Sequence, residues 1–139
     1  MILLESVATE RNIFHFTTGG DNEKHGDRSP IIYTKANRLY FQFLNHRPQM
    51  VQKYDHEIPF NKTVHVKMYH SFGADYEESS HVRIFIGGKK VMFKRHKWKV
   101  PLQNVKCYFG SPWYDPSPVR ITNLRYTQNL IYPGTFHQD

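Results

Sequence analysis

The amino-acid sequence predicts an all-β fold, a two-sheet antiparallel β-sandwich. Aromatic residues make up 15% of the chain, and Phe, Tyr and Trp favour pleated sheet over helix. Apolar and polar residues alternate in several short runs, which places one face of each strand in a core. Gly, Pro and small polar residues separate the runs at intervals typical of sandwiches. A strand with one apolar face must bury it against another layer, so two packed sheets are expected.

The first part of the chain is organised around a long loop between two strands. An edge strand is predicted at residues 2–8. Strands at 12–17 and 31–34 then bracket a loop with three glycines, two aspartates and a closing Ser-Pro. A turn leads from there to a strand at 38–45. The chain therefore leaves one strand, makes a wide structured excursion and enters the next.

The second part of the chain carries the clearest local signal, a β-hairpin. Residues 81–93 hold two β-type runs around Gly87-Gly88, a two-residue turn typical of hairpins. Further strands are predicted at 49–54, 63–70, 105–109 and 119–126. The predicted core draws its members from these separate strands: Leu39, Phe41, Phe43, Val64, Val66, Val82, Ile84, Ile86, Val105 and Ile121.

Length and charge limit the domain count and the class of partner. The 139 residues fit a single domain at 1–128, followed by an irregular tail at 129–139. Lys and Arg number 19 against 12 acidic residues, a formal net charge of +7. This balance favours anionic partners, although it also suits a merely soluble basic protein. No apolar run approaches transmembrane length, so no transmembrane segment is predicted.

Positive charge is concentrated on the second strand of the hairpin and just beyond it. Residues 89–99 hold six Lys and Arg and one His. Alternate side chains share a strand face, so this charge can hold sulfates or carboxylates of an acidic glycan. The residues predicted to contact the ligand are Lys90, Lys94, Arg95 and Lys97. The other interpretation is a solvated edge strand, because lysines guard sheet edges against pairing.

Two loops carry further candidate ligand residues. Asp21 and Asp27 in the long loop offer the oxygen ligands that Ca²⁺ prefers, although Asp also collects in loops for turn chemistry. Trp113 and Tyr114 lie between prolines, where a rigid aromatic ring either stacks on a sugar or plugs the end of the sandwich. Calcium is thus the cofactor under consideration, and both interpretations of each loop stay open.

No catalytic signature is present, so the chain is not predicted to be an enzyme. The carboxylates that most resemble those of a glycoside hydrolase, Asp75, Glu77 and Glu78, lie in a Gly- and Ser-flanked loop. Nine histidines show no recognisable metal-ligand spacing. Cys107, the only cysteine, is predicted to be a small buried apolar residue rather than a reactive thiol.

Five segments, taken in order, resemble a known family. IFHFTTGGDNEKHGDRSPIIY, RLYFQF, VRIFIGGKKV, NVKCYFGSPWYDP and VRITNLRY are similar to the laminin-G-like branch of the concanavalin A-like lectin/glucanase jelly rolls. The likeness is greatest to extracellular modules of marine invertebrates that carry a TTGGD...GDR.P loop and a late PWY segment. This resemblance implies a jelly-roll sandwich, a secreted or extracellular-matrix location, and adhesion or glycan binding.

The predicted function is therefore non-catalytic, lectin-like binding of carbohydrate, with a sulfated or otherwise anionic glycan as the expected ligand. The alternative is a structural or adhesion module whose open sheet edge meets another protein or a copy of itself. No nucleic-acid partner is predicted. Salt distinguishes the two functions, because polyanion binding weakens with ionic strength and an apolar interface hardly responds.

Overall fold

A computed structural model describes residues 1–20, 26–44, 51–73, 80–96, 102–110 and 112–127. Across these ranges the protein is all-β: ten strands are present and no helix is found. All seven strand pairings that join them are antiparallel. This confirms the all-β class predicted from the alternating sequence, with several antiparallel sheets as a β-sandwich requires.

The ten strands are numbered in chain order. They are β1 (Ile2–Leu3), β2 (Val7–Thr17), β3 (Ile31–Ala36), β4 (Arg38–Leu44), β5 (Val51–Glu57), β6 (Val66–Ser71), β7 (His81–Ile86), β8 (Lys89–Arg95), β9 (Lys106–Phe109) and β10 (Val119–Arg120).

Two compact units make up the chain. The first comprises Met1–Val64 and Leu102–Ile121, and the second comprises His65–Pro101 and Thr122–Asp139. The first unit holds a five-stranded sheet in the order β5-β4-β3-β2-β9 and a two-stranded sheet of β1 and β10. The second unit holds a three-stranded sheet in the order β6-β7-β8.

The core of the first unit is centred on β4. Leu39, Phe41 and Phe43 alternate along this strand and are all buried, as the period-two pattern predicts. β4 lies between β3 and β5, so its backbone is paired on both sides and its apolar face is shielded by neighbours. Leu3, Ile13, Ile31, Tyr33, Ile58 and Val64 are the other buried apolar residues of this unit.

The core of the second unit is centred on β7. Val82 and Ile84 are buried, and Ile84 lies opposite the buried Met92 of β8. Val66 and Ile86, both predicted to be core residues, are only partly buried. They pair with each other at the end of their strands, where fewer neighbours cover a side chain. Val105 and Ile121 are also only partly buried, because each lies one residue outside β9 or β10.

The first and last strands of the first unit are shorter than the sequence predicts. The expected strand at 2–8 is split into β1 and the start of β2, and the expected strand at 119–126 is reduced to the two residues of β10. β1 and β10 pair with each other, so each extends only as far as its partner does. The amide of Leu4 then bonds to the carbonyl of Pro118 at 2.9 Å and closes this two-stranded sheet.

Thr17 holds the described part of the long loop in place. Its hydroxyl accepts hydrogen bonds from the amides of Gly19 and Gly20, both at 3.0 Å, and donates to the carbonyl of Gly20 at 2.7 Å. Gly26 returns the chain with φ of 95°, and a Cβ there would lie 2.6 Å from the hydroxyl oxygen of Thr18. Only glycine fits both that backbone conformation and that contact.

The prediction that Cys107 is buried is wrong. Cys107 lies on β9, an edge strand of the five-stranded sheet as described, and is exposed. Sequence alternation identified a strand here, but it does not show which strand ends a sheet. Partial desolvation raises the pKa of the thiol, which reduces the reactive thiolate at neutral pH.

A membrane-crossing helix is not found in the part of the chain that the structure describes.

Candidate binding surfaces

The hairpin of the second unit forms as the two adjacent glycines predict. Gly87 and Gly88 have φ values of 62° and 81°, and two consecutive left-handed residues are what a tight hairpin turn requires. The amide of Gly87 also donates to the carbonyl of His65 at 2.9 Å. The turn is therefore tied to the chain that precedes β6.

A β-bulge in this hairpin decides which side chains share a face. Phe85 lies opposite Lys90, but Ile84 lies opposite Met92, so Val91 is an extra residue on β8. A regular ladder would instead place Val91 opposite Ile84. The bulge therefore keeps Met92 on the apolar face and brings Lys90 to the opposite face.

That opposite face, which we call the cationic face, consists of three cross-strand rows. The strand register gives the rows Lys67–Phe85–Lys90, Tyr69–Arg83–Phe93 and Ser71–His81–Arg95. Residues directly opposite on neighbouring strands project to the same side of the sheet. Each row therefore combines at least one cationic or imidazole group with aromatic or hydroxyl side chains.

The aromatic rings of the cationic face hold its cations in place. The Arg83 guanidinium carbon lies 4.6 Å from the centre of the Tyr69 ring, and Lys67 Nζ lies 5.6 Å from the same ring. Lys90 Nζ lies 5.7 Å from the Phe93 ring. Cation–π contacts at these distances are attractive and restrict the long side chains.

His81 lies on the central strand of the cationic face, in its third row. Its ring stacks on Phe93 with centroids 5.0 Å apart, while Tyr69 meets Phe85 edge-to-face at 5.7 Å. Arg83 is only 7% exposed, whereas Lys67, Lys90 and Arg95 are exposed. The exposed cations therefore lie around a group of aromatic rings that contact one another.

The second unit lacks local negative charge over its described residues. Residues 65–73, 80–96 and 122–127 include no Asp or Glu. They carry seven Lys and Arg: Lys67, Arg83, Lys89, Lys90, Lys94, Arg95 and Arg125. Over residues 65–101 and 122–139 as a whole, the sequence carries nine Lys and Arg against four Asp and Glu. This excess of positive charge favours anions over cations at the surface.

The structure separates the predicted glycan contacts. Lys90 and Arg95 lie together on the cationic face, but Lys94 lies opposite Val82 and therefore projects from the other face. Lys97 lies outside the described residues. Lys67 and Arg83 could not be assigned to this face from the sequence, because only the register of β6, β7 and β8 places them beside Lys90.

Trp113 and Tyr114 lie in the first unit, on a loop that backbone hydrogen bonds fix against β2. The backbone amide of Asn12 donates to the carbonyl oxygen of Asp115 at 2.8 Å. The backbone amide of Ser117 donates to the carbonyl oxygen of Asn12 at 2.7 Å. Gly110 begins the loop with φ of 58°, and a Cβ there would lie 2.9 Å from the Cβ of Pro116. The loop is therefore closely packed at its base.

Trp113 is supported from the sheet side. Its ring centre lies 4.8 Å from that of His15 and 5.6 Å from that of Tyr108, which meets it edge-on. His15 and Tyr108 face each other on β2 and β9, and the His15 Nε2 atom lies 2.7 Å from the carbonyl oxygen of Asp27. Trp113 nevertheless remains 40% exposed.

An open cleft of about 610 Å³ lies beside this loop, and we call it the aromatic cleft. It is lined by Thr9, Glu10, Arg11, Gly110, Pro112, Trp113, Tyr114, Asp115 and Pro116. Arg11 Nη1 lies 3.2 Å from a carboxylate oxygen of Asp115, so one wall of the cleft carries an ion pair. The cleft thus combines aromatic surface with charged hydrogen-bonding groups.

A polar network covers the neighbouring part of the five-stranded sheet. Tyr33 and Tyr40 stack almost in parallel with centroids 4.9 Å apart, and Lys53 Nζ lies 5.0 Å from the Tyr40 ring. The amide nitrogen of Gln42 donates to the Tyr33 hydroxyl at 2.9 Å, and Arg28 donates to the amide oxygen of Gln42 at 2.8 Å. These contacts fix the orientation of two tyrosine rings.

The ionisation of this network follows from its burial. Burial raises the pKa of Tyr33, although hydrogen bonds with Lys53 and Gln42 act in the opposite direction. Desolvation alone would lower the pKa of Lys53, but its hydrogen bond to Tyr33 and the charges of Tyr33 and Glu10 raise it overall. At neutral pH the network therefore presents a neutral phenol beside a charged ammonium group.

The calcium prediction concerns the long loop. Asp21 lies outside the described residues, and the Asp27 carboxylate lies close to Gly20, where a Cβ would be 3.1 Å from its Oδ1 atom. Over the ranges that are described, no group of three or more His, Cys, Asp or Glu is arranged to hold a metal ion. The calcium site at Asp21 and Asp27 stays a prediction.

Comparisons with known proteins do not supply a family for these surfaces. No protein-family model, no curated protein and no solved structure matches the chain.

Proposed function

We propose that this chain is a non-catalytic binding module that holds an acidic carbohydrate on the cationic face. The observation that carries the proposal is that three exposed cations, Lys67, Lys90 and Arg95, lie on one face of a three-stranded sheet. An extended polyanion presents negative groups at intervals along its length. The cationic face offers matching positive groups along and across its strands.

The spacing of the cationic face suits a chain better than a single small anion. Neighbouring strands are about 4.8 Å apart, and alternate residues on one strand are about 6.8 Å apart. Lys67 and Lys90 occupy the two ends of one row, so they are separated by the width of two strand spacings. Arg95 adds a guanidinium group that binds sulfate or carboxylate in a bidentate manner.

The proposal includes the laminin-G-like jelly roll and the extracellular location that the sequence motifs imply. The all-β fold with antiparallel sheets supports the first of these. It also includes the absence of catalysis, a prediction that rests on the lack of a catalytic signature in the sequence. Asp75, Glu77 and Glu78 lie outside the described residues.

Exchange of two residues on the cationic face tests the proposal. The double variant Lys90→Gln/Arg95→Gln is expected to elute from immobilised heparin at a clearly lower salt concentration than the wild-type chain. Its dependence of affinity on salt should also be shallower, because fewer counterions are displaced when fewer anionic groups are contacted. Heparin chromatography and titration calorimetry at several salt concentrations measure both quantities.

A matched control is available on the other face of the same strand. Lys89 and Lys94 lie opposite Ile86 and Val82, so Lys89→Gln/Lys94→Gln removes the same charge from the opposite side of the sheet. This control is expected to elute close to the wild type. If both double variants shift equally, affinity follows net charge alone and the cationic face is not a binding site. Equal affinity for single-stranded DNA of the same charge would contradict the carbohydrate assignment.

A second candidate function is contact with another protein chain. This function is supported by β9, which is an edge strand of the five-stranded sheet in the described residues. Its Phe109 side chain is 62% exposed. A terminal strand with exposed apolar surface is suited to pairing with another strand. Light scattering that finds a salt-resistant dimer, lost on Phe109→Ser, would favour this function over glycan binding.

A further inference from the structure

We infer that the aromatic cleft is a second binding site, which takes an uncharged pyranose ring against Trp113. This site differs from the cationic face in its unit, its lining and its ligand. It is carried by independent observations: the exposed and supported indole, the fixed loop, and the polar groups that surround the ring.

The indole of Trp113 is positioned before a ligand binds. His15 and Tyr108 pack against it at 4.8 and 5.6 Å, and the loop on which it lies is bonded to β2 on both sides of Asn12. The apolar face of a pyranose ring packs well on a flat aromatic surface. A fixed ring loses little conformational entropy on binding, and this favours affinity at an open surface.

The polar groups of the aromatic cleft suit sugar hydroxyls. Glu10 and Asp115 supply carboxylate acceptors, and Arg11 supplies guanidinium donors within the same lining. The Arg11–Asp115 pair is solvent-accessible, with side chains 32% and 78% exposed. Adjacent hydroxyls of a sugar both donate and accept, so they can bond to both members of such a pair.

The charge of the aromatic cleft selects against acidic sugars. Its lining holds two carboxylates, Glu10 and Asp115, against the single guanidinium of Arg11. A sulfate or uronate would therefore meet a slightly negative surface, whereas a neutral hexose or pentose pays no such electrostatic penalty. The two surfaces thus take ligands of different charge.

The test uses the full chain and a panel of uncharged hexasaccharides built from glucose, mannose, galactose, xylose or N-acetylglucosamine. Titrations are run in about 1 M NaCl, where the screening length of about 3 Å suppresses binding to the cationic face. At least one panel member is expected to bind and to shift the indole NMR signal of Trp113. Trp113→Ala should weaken that binding by about tenfold or more, as for a buried aromatic contact, while Trp113→Tyr retains most of it.

Three further variants make the outcome specific. Phe60→Ala removes another aromatic side chain of the same unit that is 40% exposed and lies outside the cleft, so it should leave affinity unchanged. Glu10→Gln keeps the fold of an exposed strand residue and should weaken binding severalfold. Lys90→Gln/Arg95→Gln should have no effect. The inference is overturned if no panel member binds in high salt, or if Trp113→Ala and Glu10→Gln both bind like the wild type.

Discussion

Replacing Phe41 with alanine is expected to lower the free energy of unfolding by about 3–5 kcal/mol. Phe41 is fully buried and lies on β4, inside the five-stranded sheet. Its ring also contacts Tyr54 on β5, with centroids 6.4 Å apart. The substitution loses the transfer free energy of the ring and leaves a cavity that a sheet paired on both sides cannot easily close. Urea denaturation followed by far-ultraviolet circular dichroism measures the loss.

The matched control is Phe109→Ala in the same sheet. Phe109 is 62% exposed on β9, although its ring does meet Phe14 edge-to-face with centroids 5.0 Å apart. Its replacement should cost less than about 1.5 kcal/mol, the value of such an aromatic pair. Equal losses from the two variants would show that β4 does not form the centre of the core.

Replacing Thr17 with valine is expected to lower the free energy of unfolding by about 1–3 kcal/mol. Valine has nearly the same shape, so the packing of this buried residue is kept. The change removes the hydroxyl that accepts from Gly19 and Gly20 and donates to the Gly20 carbonyl. Thermal denaturation should show a lower melting temperature, and amide hydrogen exchange at Gly19 and Gly20 should become faster.

Thr63→Val provides the control for Thr17. Thr63 is exposed, and exposed substitutions of this kind change stability by about 0.5 kcal/mol or less. Unchanged amide exchange at Gly19 and Gly20 in Thr17→Val would mean that the hydroxyl does not hold the loop. The comparison separates the local hydrogen bonds from any general effect of removing a threonine hydroxyl.

Short sequence patterns predicted the elements whose formation depends on residues close to one another in the sequence. Gly87-Gly88 required a tight turn whatever surrounded it, and the hairpin of β7 and β8 forms there. The alternation of Leu39, Phe41 and Phe43 likewise predicted the buried face of β4. Both features follow from backbone conformation and residue period, which a short segment contains in full.

Features that depend on distant partners were not predictable in this way. Asn12 and His15 are polar but buried. The backbone of Asn12 bonds to the backbone of residues 115 and 117, which brings that loop against β2, and the His15 ring contacts Trp113. Hydropathy assigns such residues to the surface. The first part of β2, from Val7 to Arg11, lacks a clear alternation, and it becomes a strand through pairing with β3. Tertiary contacts override local preference at these positions.

The cationic face also combines a feature that local sequence predicts with features that depend on distant partners. The excess of positive charge on the hairpin is evident from its composition. Strict alternation of side chains along β8, however, would place Lys90 and Arg95 on different faces of the sheet. The bulge at Val91 reverses this parity, and no residue in the segment signals a bulge. Register with β6 then adds Lys67 to the face, which local sequence cannot show.

The bulge at Val91 also affects how readily β8 could pair with a strand of another chain. β8 ends the three-stranded sheet as described and contains the apolar run Val91–Phe93, so a straight β8 would offer a template for self-templating fibril growth. An extra residue interrupts the row of amides and carbonyls and increases the local twist, while the lysines on either side repel a second copy. Deletion of Val91 together with replacement of these lysines is expected to increase fibril formation, which thioflavin T fluorescence measures. The bulge that sets which side chains share the cationic face thus also makes β8 a poor template for a second copy.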